Sequence, residues 1–100
     1  MANAVLIRGI EGAKFPLGQL CWTPGINELV ATGQLNPLPY LIRHATGDWG
    51  DLDAEDKREN NFSVEHGYRI MSAYNTPAGK IWIVTEADRS VTTFLLPDEY

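Results

Sequence analysis

The C-terminal third of the chain constrains the fold most. YRIMSAY (68–74), KIWIVTE (80–86) and VTTFLL (91–96) are rich in strand formers, and only NTPAG (75–79) and ADRS (87–90) separate them. Runs of β-branched and aromatic residues between short polar links mark strands and turns. Such links are too short for the crossover that parallel neighbours require, so the three strands form an antiparallel meander. In the middle strand Ile81 and Ile83 share one face, and Trp82 and Val84 the other. Apolar residues on both faces make that strand central and covered twice, or leave one face for a partner such as a second copy of the chain.

Ahead of the meander the punctuation is helical. Thr23-Pro24 starts a helix, because threonine caps free amides and proline suits the first helical position. Ile26, Leu29 and Val30 form its apolar side, and it stops near Gly33. A second helix follows Asn36-Pro37 with Leu38, Leu41 and Ile42 on its stripe; His44 ends it and Gly47 closes it in the left-handed conformation. A third begins at Asp51 or Asp53 and runs through Phe62 and Val64 to Gly67. The opening stretch, with Gly9, Gly12, Pro16 and Gly18, holds one or two short strands, FPLGQLCW (15–22) being the clearer. The expected class is α+β: N-terminal strand or strands, about three helices, then a three-stranded antiparallel meander.

At 100 residues the chain is expected to be a single domain, 1–100. The AVLI run at 4–7 is too short for a signal peptide, and no stretch approaches the roughly 18 apolar residues of a membrane span. The one cysteine, Cys21, forms no internal disulfide and reads as a small buried apolar residue. A cytoplasmic protein is expected.

The net charge of −5 is concentrated. DWGDLDAEDKRE (48–59) carries Asp48, Asp51, Asp53, Glu55, Asp56 and Glu59 against Lys57 and Arg58. A surface of this sign disfavours non-specific nucleic-acid binding. It suits a basic protein partner, or serves solubility.

RHATGDWG (43–50) admits two readings. In one, Arg43 and His44 cap the second helix while Gly47 and Gly50 supply turns around a core Trp49. In the other, His44 is a general acid or base, its protonated form favoured by the helix C-terminus and by Asp48. Arg69 or Arg89 then stabilises developing negative charge, with Thr93 among the hydroxyls of TEADRSVTT (85–93). That set suits metal-independent cleavage of RNA. Asp51, Asp53 and Glu55 imitate the start of a calcium loop, but Asp56 stands where glycine is needed and Phe62 where the bidentate acid belongs. His44 and His66 lack zinc-site spacing, and no phosphate-binding glycine pattern occurs, so neither metal nor cofactor is expected. In LLPDEY (95–100), Pro97 stops the last strand and Asp98 and Glu99 guard its edge, or Tyr100 lies across the surface as a docking tail.

RHATGDWGDLDAEDKREN (43–60), YRIMSAY and KIWIVTEADRSVTTFLLPDEY (80–100) resemble a family of small uncharacterised bacterial proteins of plasmids, prophages and integrative elements, some labelled "plasmid-related protein". The resemblance spans roughly residues 15–100 and is specific at the RHxxGDWG, DR and LLPxEY segments. The family's recurring positions correspond to His44, Gly47, Asp48, Trp49, Gly50, Asp56, Asn60, Arg69, Ser72, Thr85, Asp88, Arg89 and Thr93. The resemblance implies a setting rather than an activity: small acidic proteins of mobile elements often bind a host defence complex or mimic nucleic acid. A non-enzymatic inhibitor, of the anti-CRISPR or anti-restriction kind, is the leading expectation. Its contact surface would be the acidic segment 48–59. The rivals are the ribonuclease-like hydrolase built on His44 and a homo-oligomeric role for the surplus apolar sheet face.

Overall fold

The computed structural model describes residues 10–100; the AVLI run and Gly9 lie outside them. Three helices and a four-stranded sheet make an α+β fold in the order β1 (Gln19–Trp22), α1 (Pro24–Ala31), α2 (Leu38–Ala45), α3 (Ala54–His66), β2 (Ile70–Thr76), β3 (Gly79–Thr85) and β4 (Val91–Leu95), ending in a 3-10 turn at Pro97–Glu99. The meander β2–β3–β4 is antiparallel as its short links require. The sheet, however, is mixed and not a three-stranded meander alone. β1 joins β4 in parallel, Gln19 opposite Val91 through Trp22 opposite Phe94, giving the order β1-β4-β3-β2. A parallel neighbour needs a long crossover, and here the whole α1-to-β3 stretch provides it.

The start of α1 and both ends of α3 have a chemical cause. Thr23 Oγ1 accepts from the Ile26 amide and Pro24 occupies the first turn of α1. The Glu99 carboxylate arrives from the other end of the chain to accept from Gly25 N at 2.9 Å and Thr23 Oγ1 at 2.5 Å. A carboxylate there satisfies free amides and opposes the positive helix end. Those bonds, led by the Thr23 hydroxyl, hold Glu99 below its ordinary carboxyl range. α3 is capped by Asp53, which accepts from Asp56 N at 2.9 Å, and closes on Gly67 in the left-handed conformation (φ 78°).

Strand alternation puts Ile70, Ser72 and Tyr74, Ile81, Ile83 and Thr85, and Thr92 and Phe94 on one sheet face. Against them pack Ile26 of α1, Leu41 and Ala45 of α2, and Phe15, Leu17 and Trp49 from the connections. On the opposite face Val84 and Leu95 are buried, and Trp82 meets the ring of Tyr100 edge-on at 5.5 Å. The 3-10 turn and Tyr100 therefore lie along that second face. Cys21 is half-buried rather than enclosed, in register with Thr93.

The free edge of β2 is closed by groups outside the sheet. Asn60 of α3 accepts from Met71 N and donates to Met71 O. Trp49 O accepts from Ala73 N, and Asp51 N donates to Ala73 O at 2.7 Å. The Asp51 carboxylate then accepts from Asn75 N at 2.7 Å. Both outward groups at Met71 and Ala73 and the Asn75 amide are thus occupied, which denies that stretch of the edge to another strand. The approach is close: a Cβ on Gly50 (φ 76°) would stand 2.0 Å from Ala73 O, so glycine is required.

Candidate functional site

The RHATGDWG corner fastens α2 to the β2 edge. Arg43 Nε donates to Asp48 Oδ2 at 2.7 Å, and its guanidinium lies 4.7 Å from the centre of the Tyr74 ring. That hydrogen bond holds the Asp48 carboxyl below its ordinary range, with help from the Gly50 amide. Tyr74 donates its hydroxyl proton to Asp48 O at 2.7 Å, and burial raises the phenol above its usual range. Trp49 is buried in the core and donates Nε1–H to Asn61 Oδ1 at 3.0 Å.

His44 is 0% exposed and belongs to a closed polar chain. Thr92 donates to Leu17 O at 2.7 Å, which leaves Thr92 Oγ1 to accept from Thr85 at 2.7 Å. Thr85, its own proton spent, accepts from His44 Nε2 at 2.9 Å. Nδ1 is then the acceptor for the Ser72 hydroxyl at 2.5 Å. Every donor has an acceptor only if the ring is neutral and carries its proton on Nε2. Burial pushes the imidazole down to about 3. The expectation of a protonated His44 is therefore corrected. Desolvation outweighs the helix terminus, and Asp48 is engaged with Arg43 instead.

The alternative catalytic set does not assemble around that ring. Arg89, at a left-handed backbone position (φ 61°), donates from Nη1 to Tyr68 O at 2.7 Å and from Nη2 to Ser63 O at 2.8 Å. It clamps the β3–β4 turn to the C-terminal end of α3. Arg69 donates to the Tyr100 hydroxyl and lies over that ring. Thr93 falls on the sheet face opposite Thr92 and is absent from the polar chain. Ser72, Thr85 and Thr92 hold the histidine; their signal was polar residues in the inward phase of strands otherwise filled by Ile and Phe. The geometry fixes a core, and the ring nitrogens have no access to a substrate.

The six acids divide by task. Asp48 pairs with Arg43, Asp51 holds the β2 edge, and Asp53 caps α3. Glu55, Asp56 and Glu59 are exposed, and among the described residues they form no ion pair. α3 fully buries only Asn60 and Ser63, packs Val64 against the core, and is otherwise held by hydrogen bonds rather than a broad apolar stripe. Phe62, expected as one of its apolar residues, turns outward at 53% exposure and stacks between His66 and Tyr68.

Among the described residues no cluster of three or more His, Cys, Asp or Glu side chains is placed to hold a metal ion, and no helix is long and apolar enough to cross a membrane. Comparison with family models, with curated proteins and with solved structures finds no match to the chain.

Proposed function

We propose that the chain is an accessory protein of a mobile genetic element that works by binding, offering the outward carboxylates of α3 to a protein with a basic surface. The partner class is a nucleic-acid-binding host defence complex of the CRISPR or restriction kind, whose cationic surface the acids would occupy. The mobile-element setting rests on the resemblance at RHATGDWG and LLPDEY. The observation that carries the binding mode is the exposure of Glu55, Asp56 and Glu59, without an ion pair among the described residues, on a helix that contributes little to the core. Lys57 and Arg58 are exposed on the same helix, but the acids outnumber them, and a surplus of one sign steers association and selects partners of the opposite sign.

The test is charge reversal at Glu55, Asp56 and Glu59 to lysine. Asp53 stays, because its carboxylate caps the helix. Capture of a basic defence protein, and protection of a phage or plasmid from that defence, should both disappear while circular dichroism stays unchanged. Capture and protection equal to wild type would refute the reading.

A further inference from the structure

The two edges of the sheet differ. The β2 edge is occupied at Met71, Ala73 and Asn75, whereas β1, at the other end of the order β1-β4-β3-β2, has only β4 beside it among the described residues. Gln19 N donates to Ser90 O and Thr23 N to Phe94 O, so strand alternation turns the backbone groups of residues 19, 21 and 23 toward β4. Leu20 and Trp22 then direct theirs out of the sheet, and among the described residues nothing bonds them.

Nothing in β1 discourages a neighbour. QLCW carries none of the lysines, acids or prolines that keep edge strands apart. It is also remote from the acidic helix: α3 adjoins β2, three strand spacings or roughly 14 Å away across the sheet. A second chain can therefore approach β1 while the two acidic faces stay at opposite ends.

We propose that β1 pairs antiparallel with β1 of a second copy of the chain, joining two sheets edge to edge about a two-fold axis at Cys21. The strand's parity sets the register. An axis at residue 21 places Leu20 opposite the partner's Trp22, and Trp22 opposite the partner's Leu20. Both are outward residues, and each such pair exchanges two backbone hydrogen bonds. An axis at 20 or 22 would instead set an outward residue against Gly18, whose backbone is left-handed (φ 65°), or against Pro24, which has no amide to donate. Those two residues also bound the paired stretch, so the ladder ends after Leu20 and Trp22 and the assembly closes at two chains. Cys21, half-buried on the side of Thr93, would face its counterpart as a non-hydrogen-bonded pair with Cα atoms about 4.5 Å apart, a span that a disulfide bridges. A contact between such short strands is small beside the roughly 1,200–2,000 Å² of stable interfaces, so the dimer is reversible. It goes beyond the acidic-face reading and stands without it, since α3 is at the far edge in both copies.

The experiment follows the full-length chain, kept reduced, by sedimentation over a wide range of concentration. The mass should move from one chain toward two, and hydrogen exchange at the Leu20 and Trp22 amides should slow over the same range while that of Ala73, already bonded to Trp49 O, does not change. Cys21→Ser should associate as wild type. Cys21→Lys sets like charges directly opposite at the axis and should stay monomeric with circular dichroism intact. Leu20→Pro removes an outward amide and no bond to β4; it should weaken association by about tenfold or more, one hydrogen bond being lost from each copy. Mild oxidation reads the register: wild type should cross-link through Cys21 at a rate that rises with concentration and that Leu20→Pro suppresses.

A monomer at every concentration with both amides unprotected would overturn the proposal and leave the edge to a strand of another protein. Leu20 and Trp22 amides protected in the monomer would overturn it too, since one chain would then cover its own edge. A dimer that Cys21→Lys leaves intact, or one in which those amides stay unprotected, would put the interface elsewhere and defeat it equally.

Discussion

His44 donates from Nε2 to Thr85 Oγ1 across 2.9 Å, a proton position set by the order running on through Thr92 to Leu17 O, while burial keeps Nδ1 bare to accept from Ser72 and the ring neutral. A buried imidazole that cannot charge links folding to pH. In the unfolded chain it takes a proton near its ordinary value of 6.5, in the fold only near about 3. The unfolded state binds more protons between those values, so this contribution is complete above about 6.5 and drains away as pH falls toward 3. Urea denaturation at stepped pH should show stability falling by up to about 1.4 kcal/mol per pH unit below roughly pH 6. Asp48 and Glu99, held below their ordinary ranges, add their own losses only at more acidic pH. His44→Gln should be destabilised at neutral pH yet show a flatter profile between roughly pH 4.5 and 6.5. A variant profile as steep as wild type would mean that the ring is not the group responsible.

Asn60 closes the β2 edge by presenting an amide that imitates a neighbouring strand, donating to Met71 O at 2.6 Å and accepting from Met71 N at 3.2 Å. Asn60→Ala leaves both Met71 groups without a protein partner. A loss of about 1–3 kcal/mol is expected from urea denaturation, the range for stranding a buried polar group. Hydrogen exchange adds a site-specific reading, in which the Met71 amide loses protection while that of Ile83, in the sheet interior, follows only the global change. Asn60→Asp keeps the acceptor and loses the donor, so it should retain more Met71 protection than alanine.

What local pattern can reveal is visible in particular residues. Thr23, Asp53 and Gly67 act within a turn of their own helices, and their roles follow from residue type and neighbours. The meander was legible because its links are short. The parallel pairing of β1 with β4 was not, since Gln19 meets Val91 across most of the chain and no local signal records that meeting. The polar core was obscured for a related reason. Thr85 and Thr92 flank a polar turn and resemble solvated residues, until the strand phase sets them inward beside His44. RHATGDWG carries residue types that serve catalysis and anchorage equally, and only the third dimension separates the two. Of the acidic segment, the sign was readable but the division of labour was not: Asp51 and Asp53 became structural through partners at Asn75 and Asp56.

Arg89 explains how a helix with so few buried residues stays in place. Its guanidinium reaches the carbonyls of Ser63 and Tyr68 on either side of the α3 C-terminus, and of Glu86 and Ala87 in its own turn. It also lies 5.6 Å from the centre of the Phe15 ring. The carbonyls near a helix C-terminus carry partial negative charge, so a fixed cation there both bonds them and complements the dipole. A lysine at this position keeps the charge but loses the fork that serves two nitrogens at once. Arg89→Lys should therefore cost about 1.5–3 kcal/mol in chemical denaturation, the range of hydrogen bonds to a charged group. The damage should be local, with faster amide exchange at Gly67 and Tyr68, whose N–H groups bond Ser63 O, than at Ala45 in α2. Were the two helix ends to exchange alike in the variant, Arg89 would be a solvated turn residue and the attachment of α3 would lie elsewhere.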